Sequence, residues 1–82
     1  MSNESYQHGF KDGQWTLKLV KECGWKTPQE CLANAENVYR KEVNNLPELY
    51  RKNPAYAAKH AQYLEGYITA ERQSLGALIT SN

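Results

Sequence analysis

The sequence lacks any apolar run longer than a few residues, and its first 25 positions are broken up by Glu4, His8, Lys11, Asp12, Lys18, Lys21 and Glu22. Neither a bilayer-spanning helix nor the apolar core of a secretion signal can be built from such a pattern, so the expectation is a cytosolic protein with no membrane partner. An excess of charge of one sign is missing as well. Ten lysines and arginines against nine acidic residues leave a formal net charge of +1, which is ordinary for a folded domain and announces no partner by charge. Cysteine is scarce. Cys23 and Cys31 are separated by seven residues, wider than the two to four residues between paired zinc ligands. In a chain with no secretion signal they are expected to stay reduced.

Motifs that carry chemistry are also missing. No phosphate-binding loop, dinucleotide fingerprint or nucleophile motif occurs. His8 and Asp12 have the spacing of two ligands on one helix face, yet no second pair completes them. The sequence therefore assigns no catalytic residue, no cofactor and no metal, and the expectation is that the protein is not an enzyme.

What is present is helix-forming pattern throughout. At 82 residues the chain is a single domain, so small that a core leaves only a few kcal/mol of net stability unless the helices pack well or the protein oligomerises. Its organising stretch is the last third, opened by Asn53 and Pro54. Ala57, Ala61, Leu64, Ile68, Leu75 and Leu78 recur there at helical steps, with Tyr56, His60, Tyr63 and Tyr67 as a second stripe beside them. A face this wide needs two partner helices. Glu71 falls inside the apolar stripe, where a carboxylate needs an arginine or hydroxyl partner. The expectation for it is a half-exposed residue bridged to a lysine.

Tyr6, Phe10, Leu17 and Val20 predict a first helix over Ser2 to Cys23 with Gly9 and Gly13 on the same side, the alternative being a loose arm ahead of a shorter helix capped by Asp12. Gly24 suits the left-handed position past a helix end. Thr27, Pro28 and Glu30 spell the start of a second helix: a capping threonine, a proline at the first position, and a glutamate that reaches back to the cap. Its stripe of Cys31 or Leu32, Ala35, Val38 with Tyr39, Val43 and Leu46 faces a core. Pro47 predicts a kink or break near Leu46, with one or two further turns to Lys52.

Two short segments echo each other: Tyr6, Gly9 and Phe10 against Tyr63, Gly66 and Tyr67, each followed by a small residue, Gly13 or Ala70. Small residues four apart let two helix backbones approach, so the first and last helices are expected to cross closely there. The fold expected is all-α: a compact bundle of three main helices in antiparallel order, with a proline kink or a short extra helix between the second and third.

Nine aromatic residues, Trp15 and Trp25 among them, are more than so small a core buries, and tyrosine and tryptophan beside arginine dominate interface hot spots. Trp25, Arg40, Tyr50, Arg51 and Tyr56 are the candidate partner-binding residues. The function expected is that of a small protein-binding module, of the kind by which a phage or mobile element occludes a host enzyme or defence complex. Two alternatives accompany it. One is a nucleic-acid-associated regulator using Arg40, Lys41, Arg51, Lys52 and Lys59 interleaved with tyrosines, and the other a self-assembling homo-oligomer that sequesters a small ligand.

Overall fold

The computed structural model describes residues 4–24 and 27–80, and of residues 17, 23 and 80 the backbone alone. Three helices, α1 (Glu4–Cys23), α2 (Pro28–Lys52) and α3 (Pro54–Thr80), run up, down and up. The described residues contain no strand, and the all-α bundle of three helices is the architecture that forms. None of these helices is long and apolar enough to cross a membrane.

The helix ends follow local chemistry. Gly24 takes φ 62° and its N–H donates to the Val20 carbonyl at 3.1 Å, ending α1 in the left-handed turn that a side chain would oppose. The Thr27 hydroxyl accepts from the Glu30 N–H at 3.1 Å, so the first half of the capping box is in place ahead of Pro28. Asn53 is the whole joint between α2 and α3. Its N–H closes α2 on the Leu49 carbonyl at 2.7 Å, and its side-chain oxygen accepts from the Tyr56 N–H at 3.2 Å to open α3.

The interruption expected near Leu46 does not split α2, which runs through Pro47 to Lys52 as one helix with no short extra helix after it. Proline removes one amide donor and crowds the carbonyl of residue 43. Val43 and Pro47 both lie on the exposed side, where water can meet the carbonyl left over.

Packing is centred on α3. Helix α1 lies parallel to it, with Tyr6 and Phe10 beside Gly66, Gly9 beside Tyr63, and Gly13 beside Tyr67 and Ala70. The approach is reciprocal. A Cβ on Gly9 would come within 2.9 Å of the Tyr63 carbonyl carbon and 3.0 Å of the Tyr67 nitrogen, and one on Gly66 within 2.9 Å of the Tyr6 carbonyl carbon and 3.0 Å of the Phe10 nitrogen. The sequence echo is therefore a local two-fold arrangement, in which each glycine receives the carbonyl of the other helix against its Cα hydrogens. This explains why α1 stays helical across two glycines: their propensity cost of about 1 kcal/mol each is offset by backbone contact that no larger residue permits.

Helix α2 packs antiparallel on another side of α3. At one end Val20, Cys31 and Leu75 form a buried cluster with Leu32 and Leu78 packed against it. Helices α1 and α2 scarcely touch each other, so a seam stays open between them with α3 as its floor.

Candidate functional site

The seam contains a cavity of about 360 Å³ walled by all three helices. Helix α1 contributes Thr16 and Leu19, and α2 contributes Cys31, Asn34, Ala35 and Val38. The floor comes from Leu64, Tyr67 and Glu71 of α3, and the far end is marked by Glu42 and His60. The helical period places these residues together: positions 60, 64, 67 and 71 share one side of α3, and 31, 35, 38 and 42 one side of α2. Val38, on the α2 wall, is 47% exposed, and Trp15, one turn before Leu19 on α1, is 57% exposed with the Lys18 ammonium 5.0 Å from its ring centre.

The charges sit at the two ends. At one, His60 Nε2 lies 3.9 Å from Glu42 Oε2. At the other, Glu71 is 0% exposed and neither of its carboxylate oxygens has a hydrogen-bond partner among the described residues. Burial pushes its carboxyl up to about 7. The Thr16 hydroxyl opposite draws it back part of the way without completing a bond of ordinary geometry. This corrects the expectation of a half-exposed glutamate bridged to a lysine. The residue projects between helices rather than outward, and the basic residue next to it, Arg72, is turned to α2, where its Nε and Nη2 donate to Glu36 at 2.6 and 2.8 Å.

Hydroxyl groups tie the wall of the cavity. Tyr63 donates to Asp12 across the α1–α3 contact, and desolvation together with that carboxylate pushes the phenol up to about 12. Thr16 and Tyr67 hydroxyls are 3.4 Å apart. Tyr56, His60, Tyr63 and Tyr67 stack in succession along α3, with ring centres 5.7, 6.4 and 6.2 Å apart. On the opposite side of α3, Tyr39 donates to Glu65, which raises its own phenol, and the Arg72 guanidinium lies 5.6 Å from its ring centre.

The five residues proposed from sequence are not gathered at this site. Trp25 lies outside the described residues. Arg40 and Arg51, eleven residues apart on α2, share an exposed stripe, where Arg40 donates to Asn37 at 3.4 Å and Arg51 is paired with Glu48. Lys52 lies 4.0 Å from the same carboxylate, which offsets part of the basic face. Tyr50 is 43% exposed and continues the Tyr39 stripe of α2, whereas Tyr56, 52% exposed, opens the His60 and Tyr63 stripe on the other side of α3. Val38 and Tyr67 are legible in the sequence only as members of apolar or aromatic stripes, and nothing in its local pattern marks Thr16. Glu71 carried the one legible signal, an acid within an apolar stripe. No protein-family model, curated protein or solved structure matches the chain.

Proposed function

We propose that the chain is a non-enzymatic binding protein that takes a small, largely apolar ligand into the seam between α1 and α2. The observation that carries this reading is the cavity of about 360 Å³, within the range of small-molecule sites, with mostly apolar walls and a few polar groups at fixed places. Filling it tests the reading. In an NMR titration, 1-hexanol should give saturable shifts at Leu64, Ala35 and Val38, and Ala35→Leu should abolish them while the helical signal is kept. No saturable shift in the natural sequence would refute it.

A second reading, docking of a protein partner over the same seam, is favoured by the exposed Val38 on its wall and the exposed Trp15 one turn before Leu19 on α1. A body this small would then act by occluding the surface it covers, as in blocking a host enzyme or defence complex. Capture of one defined partner that is lost with Trp15→Ala and Val38→Asp supports this reading. Loss with Arg40→Ala, Arg51→Ala, Tyr50→Ala or Tyr56→Ala instead would move the contact to the α2 stripe and the α2–α3 joint.

A further inference from the structure

We propose that the ligand of this cavity carries an organic ammonium group at the end of a slender apolar chain, and that Glu71 is the residue that binds it. The inference rests on the reading of the seam as a ligand cavity and adds the chemical class of the ligand.

Glu71 is fully buried, lines the cavity, and has no hydrogen-bond partner for either oxygen among the described residues. Buried carboxylates are ordinarily paired, because an ion or an unsatisfied polar group away from water costs free energy that packing does not return. No lysine or arginine is among the described residues that line the cavity, and Arg72 is occupied by Glu36 on another face. Among the described residues nothing completes Glu71, and a cationic group entering the seam would.

The chemistry around the carboxylate narrows the choice. A metal ion needs several oxygen or nitrogen ligands, and the described residues hold no cluster of three histidines, cysteines or acids. A guanidinium brings five donors in a rigid fork and would leave several of them facing Leu19, Leu64 and Ala35. An ammonium brings three, which the two Glu71 oxygens and the Thr16 or Tyr67 hydroxyl can accept. The Tyr67 ring also favours a cation beside it.

The shape gives the rest of the ligand. Glu71 and His60 are eleven residues apart on α3, about 16 Å along the helix, and about 360 Å³ spread over that length is a narrow space. It suits an unbranched chain lying along Leu64, Ala35 and Val38, not a broad ring system.

Proton linkage follows. With its carboxyl near 7, Glu71 must release a proton to hold an ammonium, so binding tightens as pH rises through that value. Among the described residues, the other titratable groups that face the cavity are Cys31 and Glu42 from α2 and His60, Tyr63 and Tyr67 from α3, with none from α1. Of these, Glu42 and His60 lie about three turns away, at the opposite end of the cavity.

Hexylammonium and 1-hexanol, titrated into the full chain at pH 8 and followed by NMR, separate the possibilities. Hexylammonium should bind at least about tenfold tighter than the alcohol, as a charge-assisted hydrogen bond requires, and Glu71→Gln should bring the two to equal affinity. If both bind equally to the natural sequence, the cavity reading stands and the ammonium inference is overturned. If neither binds, both are overturned. Should Glu71→Gln lose its helical signal, a pH series on the natural sequence takes its place. Affinity for hexylammonium should then fall about tenfold from pH 8 to pH 6 while that for 1-hexanol stays constant, and a flat hexylammonium profile would overturn the proposal.

Discussion

Replacing Glu71 by glutamine should remove a pH dependence of stability that the fold itself creates. The carboxyl has an ordinary value of 4.5 and is pushed to about 7 in the folded chain, chiefly by burial. The folded state therefore holds more protons than the unfolded state between those two values, and stability falls as pH rises through that window. Below 4.5 both states are protonated and the group carries no ionisation penalty. Above about 7 the penalty is complete, on the order of 3 kcal/mol for this displacement. A domain of 82 residues has a total stability of only about 5 kcal/mol to draw on, so the effect should be large. Glutamine keeps the shape and the polar atoms but cannot ionise. Urea denaturation of both proteins without ligand should show midpoints differing little at pH 5, and the variant more stable by about 2 to 3 kcal/mol at pH 8. Glu36 acts with the opposite sign: the Arg72 hydrogen bond holds its carboxyl below the usual range, so its contribution is present above 4.5 and fades as acid protonates it. The natural sequence should accordingly be most stable in mildly acidic solution. Parallel pH profiles for the two proteins, or a glutamine variant that is the weaker one at pH 8, would refute the placement of Glu71 in the seam.

Gly66→Ala and Gly9→Ala should each destabilise by about 2 kcal/mol, because the methyl must displace backbone rather than a flexible side chain, an overpacking cost that exceeds the helix-propensity gain of about 1 kcal/mol. A raised melting temperature for either would remove the close crossing. Gly76→Ala is the matched control: no described residue lies within 4 Å of the added methyl, so thermal unfolding should show a gain of about 0.5 to 1 kcal/mol. Thr27→Ala should lower the urea midpoint by about 1 kcal/mol in stability with unchanged helical content, since only the hydrogen bond to the Glu30 N–H is lost.

Sequence by itself determined what depends on near neighbours. Gly24, Thr27 with Pro28, and Asn53 with Pro54 place all three helices, because caps and turns are settled within about four residues of chain. The 3.6-residue period of Leu64, Ile68 and Leu75 marks α3 as the element with two sides to cover, and the glycine echo shows where α1 meets it. Continuity through Pro47 was not legible, because whether a helix survives a proline depends on what surrounds the carbonyl it leaves, and that is settled by the exposed face of α2. Glu71 could be recognised as an acid in an apolar stripe. Its lack of a partner among the described residues could not, since a lysine or arginine from any of three helices could have reached it. The tertiary structure decided that point by turning Arg72 to Glu36. It also kept α1 and α2 apart: the glycine contact draws α1 tightly onto one side of α3 while α2 packs on another. The cavity is what remains between them, a product of where two helices dock on a third, and no local run of residues encodes it.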